Sequence, residues 1–196
     1  MRFCIIIFII FLAKITSSQS ILTFSCDTDY VEYNIDLLKL REKKIDLNPD
    51  FELRLWIKNS ICLPKKISLI NIIYKDNKWN VKSYKFLFNG ERKIRTFCKR
   101  IKNVDTDSLF SYMLFNNINS IPRQGELNYR AFEQKDEIIV MDGVTYRIEL
   151  IKPNCQRWYE YHSPKIYSEH YDFVEYKNVV NIITRLLLLT GDYSGS

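Results

Sequence analysis

The chain is predicted to adopt an α+β fold: an antiparallel sheet of about five to seven strands with two or three packed helices, the C-terminal helix lying on one face. Three observations carry this. Phe51, Leu53, Leu55 and Ile57 alternate with Glu52, Arg54, Trp56 and Lys58, the period of two that marks a half-buried strand. Turn-forming pairs follow at short intervals, Asn89-Gly90 and Asp142-Gly143 among them. Finally, Phe173, Tyr176, Val180, Ile183 and Leu187 form an apolar stripe at helical spacing.

Taken in order, residues 19 to 28 form a short extended lead-in. From Asp29 to Lys44, Val31, Ile35 and Leu38 fall on one face of an amphipathic helix that Asp27 or Asp29 could cap. Asn48-Pro49-Asp50 breaks it, and the strand from Phe51 to Lys58 begins. A second strand spans Ile67 to Tyr74, rich in β-branched residues. The polar turn Lys75 to Lys78 leads to a third, Trp79 to Phe88. Asn89-Gly90 then returns the chain along Glu91 to Cys98, completing an antiparallel meander.

A helix capped by Thr106 or Asp107 runs to about Ile118, and residues 123 to 136 form a loop or short helix. Glu137 to Met141 and Val144 to Ile151 flank Asp142-Gly143 and predict a hairpin. Gln156 to His162 is a further strand with alternating aromatics, ended by Ser163-Pro164. Asp172-Phe173-Val174-Glu175 has the form of a capping box at the head of the last helix, which ends near Thr190 with Gly191 beyond it.

The N-terminus predicts an address. Arg2 precedes an uncharged run of 11 residues, Phe3 to Ala13, ended by Lys14. A bilayer-spanning helix needs about 20 apolar residues. Small side chains at Thr16 and Ser18 place cleavage before about Gln19, so residues 1 to 18 read as a signal peptide and residues 19 to 196 as a single secreted or periplasmic domain. No later segment is long and apolar enough to span a membrane. Losing Arg2 and Lys14 lowers the formal charge from +6 to +4. The remaining basic clusters, Lys43-Lys44, Lys65-Lys66 and Lys99 to Lys102, are short and scattered, which argues against a nucleic-acid partner.

Cys26, Cys62, Cys98 and Cys155 remain after cleavage, with no C-x-x-C pair. Export permits disulfides between them in three connectivities, and buried thiols are the alternative.

No recognised catalytic motif, phosphate-binding loop, cofactor signature or metal-ligand spacing is present. His162 and His170 lie eight apart with Glu160 and Glu169 beside them. These four residues define the enzymatic alternative, a secreted hydrolase. The leading expectation is a non-enzymatic binding or interaction domain for a protein, peptide or glycan. It rests on the aromatic strand, where alternation sends Trp158, Glu160 and His162 to one side and Arg157, Tyr159 and Tyr161 to the other.

The order Asp142-Gly143, Tyr146, Glu149-Leu150, then Tyr159 and Tyr161, Ser163-Pro164 and a closing amphipathic helix resembles exported proteins of unknown function from Bacteroidota. Phe51 to Trp56 and Lys78-Trp79 fit the same pattern. The resemblance covers most of the chain after residue 18. It implies bacterial export and an extracytoplasmic α+β domain, and it carries no activity.

Overall fold

The computed structural model describes residues 23–29, 49–59, 65–89, 92–134 and 138–191. The expected signal peptide and the expected helix from Asp29 to Lys44 lie outside them, apart from Asp29 itself.

Six strands form one antiparallel sheet: β1 (Phe51–Asn59), β2 (Lys66–Lys75), β3 (Lys78–Asn89), β4 (Arg92–Ile101), β5 (Val144–Lys152) and β6 (Cys155–His162). Their spatial order is β4-β3-β2-β1-β5-β6. The meander therefore occupies one side of the sheet, and β5 returns to pair with β1. Four helices are described: α1 (Thr106–Phe115), α2 (Gln124–Glu133), α3 (Pro164–His170) and α4 (Val174–Thr190). The α+β class is as the sequence predicts, and the C-terminal helix packs on the sheet.

Local chemistry explains the connections. Asp76 and Asn77 both have positive φ, 49° and 58°, as a two-residue hairpin turn with the twist of the flanking strands requires. The Tyr74 hydroxyl donates to Asn77 Oδ1 at 2.8 Å and braces that turn. Between β5 and β6, Pro153 sets the first turn position and Asn154 takes φ 60° at the second.

Alternation divides the sheet into two faces. The first carries Phe51, Leu53 and Leu55 of β1, Ile70 and Ile72 of β2, Val81 of β3, Ile148 and Leu150 of β5, and Tyr159 and Tyr161 of β6, all buried. Leu109, Phe110 and Met113 of α1, Leu127 and Ala131 of α2, and Tyr176, Val179, Ile182, Ile183 and Leu186 of α4 join the same core. Each such aliphatic or aromatic side chain contributes about 1.5–3 kcal/mol on burial. The second face holds a separate cluster of Trp56, Ile67, Leu69, Tyr84 and Phe86.

Several local expectations need correcting. Ile138 to Met141 is not a strand, so Asp142-Gly143 does not turn a hairpin. Both edges of β5 are already taken, by β1 and β6, so the upstream run cannot pair with it as a hairpin requires. Gly143 serves a close approach instead, because a Cβ there would run into the Ser163 hydroxyl. Ser163 sits in the left-handed region at φ 46° and its N–H donates to the Val144 carbonyl at 2.8 Å. Residues 164 to 170, expected only as a break after the strand, form α3. Asp105, not Thr106 or Asp107, caps α1, accepting from the Ser108 N–H at 3.1 Å. At α4 the capping box does not form. Phe173 is the N-cap, and Asp172 pairs with Lys177 at 2.5 Å. Gly191 does end that helix, at φ 69°.

Gly143→Ala is expected to cost about 1–3 kcal/mol through the overpacked Ser163 contact. Adding Ser163→Gly, which removes the opposing side chain at a positive-φ position, should recover most of that loss. Urea unfolding of the single and double variants measures both; a single variant as stable as the wild type would show that the approach is not tight.

Candidate functional site

The aromatic strand is positioned by what surrounds β6. Odd residues of β6 bond inward to β5, so the backbone of Gln156, Trp158, Glu160 and His162 faces the open edge. Side chains and a single backbone contact from elsewhere cap both ends of that edge. The Asp27 N–H donates to the Gln156 carbonyl at 2.7 Å, and the Trp158 N–H donates to Asp27 Oδ2 at 2.8 Å. At the far end Gln124 Oε1 accepts from the His162 N–H at 2.6 Å while Gln124 Nε2 donates to the His162 carbonyl at 3.2 Å. Residues 23 to 29 are also held by a disulfide between Cys26 and Cys155. Among the described cysteines, Cys98 is a free thiol.

The side chains follow the expected alternation. Tyr159 and Tyr161 are buried on the helix-covered face. The Tyr159 hydroxyl donates to the Ile118 carbonyl at 2.7 Å, and that of Tyr161 donates to the Pro122 carbonyl. Trp158, Glu160 and His162 lie half-buried on the second face.

Trp158 is the centre of a stack. The Arg123 guanidinium lies 4.1 Å from its ring centroid and that of Arg147 lies 4.2 Å away. Each desolvated cation–π contact is worth about 1–2 kcal/mol. Arg123 is a forked donor to Asp29, at 2.6 and 2.7 Å, and pairs with Asp27 at 3.1 Å. The Arg123 hydrogen bonds hold the exposed Asp29 carboxyl down at about 2, below its ordinary 3.8.

Behind Trp158 lies a buried charge ladder. Arg147 Nε donates to Glu149 Oε1 at 3.0 Å, and Trp56 Nε1 donates to Glu149 Oε2 at 3.0 Å. Arg54 reaches Glu149 at 3.7 Å and forks onto Glu52 at 2.8 and 2.9 Å. Glu149 is 0% exposed. Burial pushes its carboxyl above the usual range, and the Arg54, Trp56 and Arg147 donors oppose that rise. On the outer side Arg147 approaches Glu160 at 4.0 Å.

His162 is fixed rather than free. Its Nδ1 lies 3.2 Å from the Thr145 hydroxyl, and its buried Nε2 takes no hydrogen bond among the described residues. Glu169 and His170 are exposed on α3, whose buried Tyr167 joins the first-face core. Glu160 and His162 project from the opposite face. Among the described residues no group of three or more His, Cys, Asp or Glu is arranged to hold a metal ion. Nor is any described helix long and apolar enough to cross a membrane.

No protein-family model matches the chain. No curated protein is significantly similar to it either.

Sequence reasoning missed Arg123, Gln124, Asp29 and the ladder. Glu52/Arg54 and Arg147/Glu149 were a readable signal, since opposite charges two apart on a strand share a face. The Arg123–Trp158 contact joins residues far apart in the chain and left no such mark.

Two outcomes follow. Glu149→Ala leaves buried guanidinium groups without their carboxylate and should cost about 3–5 kcal/mol, against a smaller loss for Glu149→Gln, which keeps an acceptor for Trp56. Chemical denaturation of the two variants decides it. For Asp29, a folded value near 2 against 3.8 unfolded means that its contribution is complete above about pH 4 and is lost as pH falls toward 2. In Arg123→Gln that part of the acid-unfolding curve should flatten. An unchanged curve would show that the pair does not contribute.

Proposed function

We propose that the chain is a non-enzymatic binding or interaction domain that works outside the cytoplasm, with Trp158, Glu160 and His162 at its recognition surface and a protein, peptide or glycan as partner. The observation that carries the reading is the Arg123–Trp158–Arg147 stack. Two guanidinium groups lie 4.1 and 4.2 Å from the Trp158 ring centroid, so this side chain acts as a rigid pillar and not as an open stacking platform. Tryptophan and arginine in a preorganised cluster lose little entropy on contact, and these residue types dominate binding hot spots. Glu160 and His162 stand beside the pillar, and the caps at both ends of the β6 edge favour recognition by side chains over an added strand.

The Cys26–Cys155 disulfide supports an oxidising compartment, the periplasm or the exterior. It is in keeping with a signal peptide over residues 1 to 18 and with the resemblance to exported bacterial proteins.

The hydrolase alternative asks Glu160, His162, Glu169 and His170 to converge. Glu160 and His162 project from the face opposite the core that α3 packs on, and burial keeps His162 Nε2 out of reach of a substrate.

The test captures partners from an envelope extract and from conditioned medium on the immobilised full chain. A discrete partner should bind the wild type and lose about tenfold with Glu160→Lys combined with His162→Ala. Turnover of ester, glycoside or peptide substrates that vanishes in Glu160→Gln would replace this reading with the hydrolase.

A further inference from the structure

The sheet confines its carboxylates to one face. Glu52, Glu149 and Glu160, the carboxylates of the described strands, all project from the second face. The first face carries none. Beyond the helices, over β2, β3 and β4, it carries cations instead.

The register shows how they assemble. Ser68 pairs with Lys85 and Lys85 with Phe97; Ile70 pairs with Ser83 and Ser83 with Lys99; Lys66 pairs with Leu87 and Leu87 with Arg95. Since Ile70 belongs to the first face, so do the rest of these rows. Lys66, Lys85, Arg95 and Lys99 thus share one shelf, with Lys85 placed diagonally about 8 Å from each of the other three, given strands about 4.8 Å apart and alternate residues about 6.8 Å apart. These charges looked scattered in the sequence because they lie on three different strands. Arg95 and Lys99 are exposed, and Phe97 between them is 51% exposed.

The shelf runs into a cavity of about 200 Å³ where α4 ends. Asn59, Ser68, Ser83, Tyr146 and Thr190 give it hydrogen-bonding groups, and Lys66 also lines it. Among the described residues, no carboxylate lines it. The carboxyl end of α4 adds a partial negative charge there, which disfavours an anion inside the cavity itself. A fitting ligand therefore has neutral hydroxyls for the cavity and acidic groups for the shelf outside.

We propose that this shelf binds an acidic polysaccharide, its uronate or sulfate groups on Arg95, Lys99, Lys85 and Lys66, a sugar face on Phe97 and hydroxyls in the cavity. Charge complementarity commits it to a polyanion. The concave polar cavity suits a sugar better than the planar surface of a bilayer, and a single exposed aromatic ring is a poor stacking track for successive bases. The surface lies across the sheet from Trp158, so it stands apart from the recognition surface proposed above.

The test uses the full chain with heparin and polygalacturonate as probes, and with oligothymidylate and phosphatidylglycerol vesicles as competing polyanions. Arg95→Glu with Lys99→Glu should weaken binding to the polysaccharides about tenfold or more. Lys78→Glu with Arg100→Glu makes the same charge change on the other face of the same hairpin and should alter binding less than twofold. If the reversed pair disturbs folding, as circular dichroism would show, Arg95→Gln with Lys99→Gln and Phe97→Ala carry the test and should each weaken binding. Equal losses from both faces would overturn the shelf. Tighter binding of oligothymidylate or vesicles would overturn the ligand class. Self-association of the Arg95/Lys99 variant with unchanged polysaccharide binding would assign these cations to guarding the edge strand.

Discussion

The pairing of β1 with β5 is the contact on which the rest of the structure depends. The meander β1 to β4 and the hairpin of β5 and β6 are joined within the sheet only along this seam. Its register brings Leu53 opposite Leu150 and Leu55 opposite Ile148 on one face, and Arg54 opposite Glu149 on the other. A slip of one residue would put Arg54 and Glu149 into the helix-covered core and the leucines into the charge ladder. Apolar and ionic complementarity therefore select the same alignment from opposite sides.

That alignment sets the surface chemistry. The helices cover the first face where its side chains are leucine, isoleucine and tyrosine, and stop short of the lysine- and arginine-bearing rows of β2 to β4. On the second face, Glu149 collects donors from β1 and β5 and holds Arg147 beneath Trp158. The exposed end of the ladder thus inherits its rigidity from a carboxylate buried at the seam. A buried ion network is a costly way to gain stability. Its advantage here is that it fixes the register and the position of the Trp158 ring together.

Much of the fold was legible because its determinants are local. The alternation of Phe51 to Lys58 and the stripe of α4 each identify an element without reference to the remainder of the chain. Asp142-Gly143 misled for the same reason. Its local chemistry suits a hairpin, while the outcome was decided by the distant strand β1 occupying the edge of β5. Asp172 shows a milder form of this, satisfying Lys177 in place of the helix amides. For the site, alternation separated Trp158, Glu160 and His162 correctly from Tyr159 and Tyr161. The guanidinium groups on Trp158 and the cationic rows of the shelf were not legible, since they form only when separate strands and the Arg123 segment come into register.

The Cys26–Cys155 bond spans 129 positions and so encloses nearly all of the described sheet and α1 and α2 in one covalent ring. By the chain-entropy argument, a loop of this size removes about 5 kcal/mol of freedom from the unfolded state. The ring has a second effect. A single proteolytic cut in any loop between the two cysteines opens the ring without dividing the molecule, because the disulfide still joins the pieces, and after a cut between β1 and β5 they also stay paired along that seam. Wherever proteases reach such a chain, nicked copies would persist as intact particles whose damage becomes visible only after reduction.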